Sequence, residues 1–344
     1  MSDRRPVVPE GLDPNTRQLA VREEMPQSGE NATRGLIFGL VWCSVGSALV
    51  PLVPVIACAI VAFGAAVAMS MGDRRGQVLA LMASLVAGLG GSLLFFGVQE
   101  VPNTELSIIC SFAVAWAVVS GRMHTGGLVA GAAATALVMI GMDFVSTSLQ
   151  GTSINEVITS VVDQAVEESI GTLDLDGVTA VLEAKESVVS MWPTIYFVVA
   201  AAMVVCSYLG ARSGARRAGG QVESDVLVRF DVPLWVAELF ALGVAAQLLG
   251  PYLPSWQREV ATIGANVVMC CRLVLVQQGL SVLQWWMRER RVPVFTRAFL
   301  LLAALWLEMS FALTSIAGIL DVIFNFRHIP RRRAQISFGS ARER

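Results

Sequence analysis

Charge is scarce in this sequence. Asp, Glu, Lys and Arg together fill 15% of its 344 positions, against about 25% in an average soluble domain. Lysine is nearly absent: Lys185 is the sole one among 25 basic residues. With 25 basic and 27 acidic residues the net charge is −2, so a generally basic nucleic-acid binder is excluded. Histidine is represented only by His124 and His328, too few and too far apart for a cluster. The six cysteines (Cys43, Cys58, Cys110, Cys206, Cys270 and Cys271) lie inside apolar runs without metal-ligand spacing. Neither a zinc site nor a disulfide framework is expected, because a buried free cysteine behaves as a small hydrophobe. No Ser/His/Asp set, Walker A sequence or other catalytic constellation is present. Gly88-Leu-Gly90-Gly91 sits inside an apolar run and reads as a packing site, not a phosphate loop. The expectation is a non-enzyme without cofactor or metal.

What the sequence has in excess is apolar residues, at 55%. Spanning about 30 Å of hydrocarbon takes about 20 helical residues. Runs of that order lie at 35–50, 54–71, 76–97, 105–120, 125–146, 191–210, 234–250 and 261–287, with a longer one at 296–325. Pro51 and Pro54 divide the first two. The fold expected is all-α: a polytopic transmembrane helix bundle of eight full spans plus a carboxyl-terminal hairpin or single long helix. Residues 1–34 carry five arginines, six acids and four prolines, and read as a disordered cytoplasmic tail. They lack the pattern of a secretory signal. Residues 35–146 form a first bundle of five spans, 147–190 an external acidic segment, 191–326 a second bundle, and 327–344 a basic cytoplasmic tail.

Arginine placement orients the chain. Arg74 and Arg75, Arg122, then Arg212, Arg216, Arg217 and Arg229, then Arg288, Arg290 and Arg291 occupy every second connection. Arg258 is the exception. The positive-inside rule places these connections and the amino terminus in the cytoplasm, and so the chain in a cytoplasmic membrane. The final run would carry Arg327 and Arg331–Arg333 outside if it crossed once. A hairpin breaking near Glu308–Ser310 returns them, and is favoured over one tilted helix of about 45 Å. Trp192, Trp235, Trp256, Trp285 and Trp286 lie near run ends, as interfacial aromatics do. Trp116 and Trp306 lie deeper and are expected to pack helices together.

Between runs five and six, Ile154, Val157, Ile158, Val161, Val162 and Val166 repeat at helical spacing, and Val178, Val181 and Leu182 begin a second stripe. Eight acids (Glu156, Asp163, Glu167, Glu168, Asp174, Asp176, Glu183 and Glu186) accompany Lys185. The segment reads as a solvated external helix pair, or as a lid over a solute path.

An ionisable residue within a span costs about 2.5–3.5 kcal/mol on insertion scales and marks a site by default. These are Asp143, Glu238, Arg272, Glu308 and Asp321. Arg272 is too deep to snorkel and needs an anion: Glu238, Glu308, or a solute carboxylate or phosphate. Asn266, Cys270, Gln277, Ser281 and Gln284 form a polar stripe on the same run. It either lines a cavity or bonds neighbouring helices. The tentative solute site is Glu238, Asn266, Arg272, Gln277 and Glu308. Gly35-xxx-Gly39 and Ala62-xxx-Ala66 permit close helix approach, though such spacings arise readily in a chain rich in Ala and Gly.

The carboxyl half carries an ordered series: Phe230-Asp231-Val232-Pro233, Asn266, Gln278-Gly279-Leu280, Arg288–Arg291 with Val292-Pro293, Gly318-xx-Asp321, and Phe324-Asn325-Phe326-Arg327. This resembles the YybS-like family of uncharacterised bacterial multi-pass membrane proteins, domain-of-unknown-function family 2232, over roughly residues 35–329. Gln278, Gly279, Asp321 and Arg327 are the motif residues. Asn325 stands where the family pattern more usually has Asp. That family is distantly similar in fold to the substrate-binding S components of energy-coupling-factor transporters. The resemblance therefore implies a small-molecule solute and a separate ATPase module or other membrane subunits as partners, besides the lipid bilayer. The alternative is a non-transporting scaffold in envelope or division assembly.

Overall fold

A computed structural model describes residues 33–170, 175–220, 229–253 and 255–329. The expected amino-terminal tail, Asp174 and Arg331–Arg333 lie outside the described residues, as do the side chains of Asp176 and Glu183. Every regular element among the described residues is helical. In chain order they are α1 (Thr33–Leu49), α2 (Pro54–Met71), α3 (Arg74–Phe95), α4 (Val101–Val119), α5 (Thr125–Leu149), α6 (Ile154–Ile170), α7 (Leu175–Ser190), α8 (Trp192–Arg217), α9 (Leu234–Leu249), α10 (Gln257–Glu289), α11 (Val294–Phe311) and α12 (Leu313–Phe324).

Among the described residues seven helices are long and apolar enough to cross a membrane: α2, α3, α4 with its lead-in turn from Val98, α5, α8, α10 and α11. Six of them answer to the eight expected full spans. The other two expected spans, α1 and α9, are shorter apolar helices of 17 and 16 residues, about 25 Å each at 1.5 Å per residue. The proline pair does what its chemistry dictates. Pro54 opens α2, where its missing N–H costs nothing.

The chain divides into two compact units. Among the described residues, the first comprises 33–161 together with 195–220, and the second comprises 162–170, 175–194, 229–253 and 255–329. In the first unit, α2 packs on α3 and α4, and α4 on α5. Small residues set the spacing. A Cβ on Gly39 would press on the Gly64 carbonyl and the Ala68 N–H, and one on Gly91 on the Ala48 backbone. The Gly35-xxx-Gly39 spacing is thus a real α1–α2 contact. Gly214 lies equally close to the Phe63 carbonyl, bringing α8 against α2.

These contacts also sort the charges. Gly35 meets Met71, Gly76 meets Leu36, and Gly214 meets Phe63 and Ala66. The start of α1, the end of α2, the start of α3 and the end of α8 therefore share one end of the unit. Ser92 donates to Thr104 at 2.8 Å, so α4 starts beside the end of α3 and returns to that same end. All seven described arginines of this unit (Arg34, Arg74, Arg75, Arg122, Arg212, Arg216 and Arg217) stand there. Glu100, Glu105, Asp143 and Glu156 stand toward the other. The alternation of arginine-rich connections is a spatial segregation.

In the second unit α10 is the spine, flanked by α9 and α12. α9 runs antiparallel to it, with Gly243 against Val267 and Gly264 against Gln247. α11 and α12 form the hairpin: Thr314 Oγ1 donates to the Ala304 carbonyl at 2.9 Å across the two helices. The turn is at Ala312, in the left-handed region at φ 54°, two residues beyond the expected break. The last turn of α11 runs on because the Ala312 N–H still reaches the Glu308 carbonyl at 3.1 Å. α12 then returns parallel to α10, so close that a Cβ on Gly279 would collide with the Thr314 carbonyl oxygen. One on Gly318 would collide with that of Leu275.

Trp116 and Trp306 correct an expectation. They are 52% and 67% exposed and do not pack helices together; in a bilayer they face lipid. Depth along the sequence says nothing about which side of a helix is turned inward. The glycine contacts carry a direct expectation. Gly279→Val should cost about 1–3 kcal/mol or more from overpacking and lower the melting temperature of the detergent-solubilised chain. Gly90→Val, whose Cβ would meet nothing within 4 Å, should leave it unchanged.

Candidate functional site

The polar residues within the second unit gather at three levels along α10. At the first, Asn266 clamps the start of α8. Its Oδ1 accepts from the Thr194 backbone N–H (3.1 Å) and from Thr194 Oγ1 (2.9 Å). Its Nδ2 donates to the Ser190 and Thr262 carbonyls, both at 2.9 Å. All four hydrogen-bonding capacities of the amide are used.

At the second level, 15 residues from the start of α10 and 17 from its end, Arg272 meets the hairpin turn. Its Nε donates to Glu308 Oε1 and its Nη2 to the Glu308 backbone carbonyl, each at 2.6 Å. The Arg272 side chain is 29% exposed and that of Glu308 7%. Glu308 also serves α12. Its Oε2 accepts from the Ser315 N–H at 2.9 Å and its Oε1 from Ser315 Oγ at 3.1 Å. Ser315 is the third residue of α12, whose N-cap Ala312 has no side-chain oxygen to offer. A helix start leaves N–H groups unsatisfied. Here a carboxylate from the preceding helix takes the place of a cap and meets the positive end of the helix dipole.

At the third level the motif residues meet. Gln278 Oε1 accepts from the Val232 N–H at 3.0 Å, and its Nε2 donates to Asp321 Oδ2 at 2.7 Å. Arg327 donates to the same oxygen from Nε (3.0 Å) and Nη2 (2.8 Å), and from Nη2 to the Phe230 carbonyl at 2.7 Å. The Arg327 and Asp321 side chains are 1% and 0% exposed. This network ties the approach to α9, the spine and the end of α12. Asn325 closes α12 in the left-handed region, at φ 51°. Its amide pairs with the Ile329 N–H and carbonyl, a local turn that needs no charge.

The five tentative solute contacts do not converge. Arg272 and Glu308 are together; Asn266 is a separate clamp. Glu238 stands on an exposed face of α9 and is not the partner of Arg272. Gln277 is half-buried, and its carbonyl accepts from Ser281 Oγ at 2.8 Å. Cys270 Sγ approaches Thr194 Oγ1 at 3.9 Å. The polar stripe thus bonds helices at Asn266 and Cys270, while Ser281 bonds within its own helix. The four motif residues, by contrast, do meet, with Gly279 holding the backbones close.

Asp143, in the first unit, accepts a hydrogen bond from the Tyr196 hydroxyl. In the acidic segment of α6 and α7 Lys185 pairs with Asp163 at 2.5 Å, and Glu186 with Arg258 at 3.4 Å. Those four side chains are a third or more exposed, and such pairs stabilise little. Arg258, the lone exception to the arginine pattern, has this acid as its partner. Sequence reasoning missed Ser315, Thr194 and Tyr196. Hydroxyls seven and more residues from their partners leave no periodic signal. It also missed Glu105, an acid inside α4 with Oε1 buried and lacking a hydrogen-bond partner.

Removing one partner of a buried ion pair costs about 3–5 kcal/mol. Arg272→Ala and Glu308→Ala should each destabilise the chain by that order. The double variant should be no worse than Glu308→Ala alone, since it removes the guanidinium that Glu308→Ala leaves without its counter-ion. Denaturant unfolding of the three variants in mild detergent checks this.

Comparison with known proteins agrees with the membrane reading. No curated protein and no solved structure matches the chain. A family model described as "Predicted membrane protein (DUF2232)" matches residues 43–322. The match runs from within α1 to near the end of α12, and takes in Asn266, Arg272, Gln278, Gly279, Glu308 and Asp321. Covering about four-fifths of the chain, it establishes that this integral membrane protein belongs to the DUF2232 family.

Proposed function

We propose that the protein is a non-transporting membrane scaffold in envelope assembly, whose intramembrane polar groups hold its own helices together. The observation carrying this reading is that Arg272 is engaged by Glu308 through both its carboxylate and its backbone. The one deep guanidinium, best placed for a solute anion, already has both a carboxylate and a carbonyl at 2.6 Å. Asn266 and the Gln278–Asp321–Arg327 network are likewise spent on protein groups. On this reading the protein is no enzyme. It lies in a bacterial cytoplasmic membrane with its amino terminus and arginine-rich end inside, by the charge rule. It offers partner proteins its arginine-bearing connections.

One observation favours the rival reading, a solute-binding component like the S components of energy-coupling-factor transporters, to which a YybS-like relationship points. The Arg272 side chain keeps 29% of its surface open, room for a second anion. Native mass spectrometry of the purified chain separates the two. The scaffold reading expects neither a retained small molecule nor an ATPase subunit in the purified protein. It also expects Arg272→Ala to lower protein abundance in cells. A stoichiometric small molecule lost on Arg272→Ala, with abundance unchanged, contradicts it.

A further inference from the structure

The end of the first unit away from the arginines holds an acid that its neighbours leave alone. Glu105 stands about two turns into the apolar span Val98–Val119, and its side chain lies over Gly88 of α3. A Cβ on that glycine would collide with Ile108 Cδ1, and would meet Thr104 Cγ2 at 3.2 Å and Glu105 Oε1 at 3.4 Å. Gly88 thus opens a notch in which a carboxylate oxygen lies among methyl groups. That oxygen is buried and has no hydrogen-bond partner. The neighbouring hydroxyls serve each other: Ser92 Oγ donates to Thr104 Oγ1 at 2.8 Å, while Thr104 turns its methyl to the notch.

Among the described residues no group on the helices packed against α4 neutralises this acid. α3 carries Arg74 and Arg75, both at its opposite end. The titratable group of α2 is Cys58, whose Sγ reaches the Ser107 carbonyl at 3.9 Å. α5 brings Asp143, which accepts from the Tyr196 hydroxyl, and His124 precedes α5 at the arginine end. On α4 itself Cys110 pairs with Thr135 at 3.3 Å. Glu100, in the turn leading into α4, is a like charge and is exposed. An ionised carboxylate in an apolar surrounding is costly unless something neutralises it. Since the helices around Glu105 supply no cation, the water must.

We propose that Glu105 is a binding site for one monovalent cation taken from the water, a proton or an alkali ion. A single carboxylate balances a single positive charge. A divalent or transition metal would need more ligands, and no group of three or more His, Cys, Asp or Glu that could hold a metal ion occurs among the described residues. The glycine at position 88 leaves the carboxyl its room against α3. The site lies wholly in the first unit, apart from the networks of the second on which the scaffold reading rests.

The test is labelling of the full chain in detergent by dicyclohexylcarbodiimide at pH 7, mapped to peptides by mass spectrometry. This apolar reagent adds across the O–H of a protonated carboxyl, whereas a solvated carboxylate is ionised at that pH and stays unlabelled. With choline as the buffer cation the Glu105 peptide should carry the adduct. Glu105→Gln should lose it, and Glu100→Gln should leave it unchanged. Sodium then separates the two sources. Labelling that sodium suppresses assigns the site to an alkali ion; labelling that sodium leaves alone assigns it to a proton. If Glu105→Gln fails to fold, the wild-type chain decides through a water-soluble carbodiimide, which should leave the Glu105 peptide unmodified. Absence of the adduct from that peptide in choline overturns the proposal. So does an adduct that persists in Glu105→Gln, or equal modification by the water-soluble reagent.

Discussion

A turn between two apolar helices must satisfy the backbone it exposes, because hydrocarbon, unlike water, offers nothing in return. The second unit meets that constraint with one carboxylate. Glu308 takes the Ser315 N–H that no cap reaches, and its backbone carbonyl takes the Ala312 N–H. Arg272 from the spine then neutralises it. The left-handed alanine at the turn is itself costly, by roughly 1–2 kcal/mol, and nothing in Phe311-Ala312-Leu313 compensates locally. The compensation comes from α10. The deep arginine is therefore read as the structural partner of a buried helix start, which accounts for a charge in mid-span without a ligand.

The same logic repeats at the other levels. Gln278, Asp321 and Arg327 fix where α12 ends and α9 begins, and they do so across a contact that only Gly279 and Gly318 permit. Without a hydrophobic force between helices in lipid, close backbone approach and interhelical hydrogen bonds are what remain to hold a bundle. In the first unit glycine and alanine dominate that work. In the second, polar networks carry a larger share. The paired state of these groups is what weighs for a scaffold and against an empty solute site.

Much of the architecture was legible beforehand. Apolar run lengths, the proline pair and the arginine alternation located ten helices to within a few residues, including the split of the last run. The turn itself was displaced by two residues, because the signal for it is a carboxylate seven positions before a serine, a tertiary capping arrangement with no local motif. Pairing was the larger gap. Burial cost says that Arg272 needs an anion, but Glu238 and Glu308 are equivalent by depth. Only helix rotation separates them, and α9 turns Glu238 outward. Rotation also explains the two exposed tryptophans. Gln278, Gly279, Asp321 and Arg327, spread over fifty positions, meet at one level of α10; their spacing was visible in the sequence and their geometry was not.

The central claim is that α11 and α12 enter and leave the bilayer on one side. Single cysteines introduced by Arg290→Cys and Ile329→Cys, each in a chain whose native cysteines are replaced by alanine, can be probed with a membrane-impermeant maleimide in sealed, oriented vesicles. A hairpin held at Glu308 requires both positions to label from the same face. Labelling from opposite faces would mean that the last segment crosses the membrane, and would contradict the account.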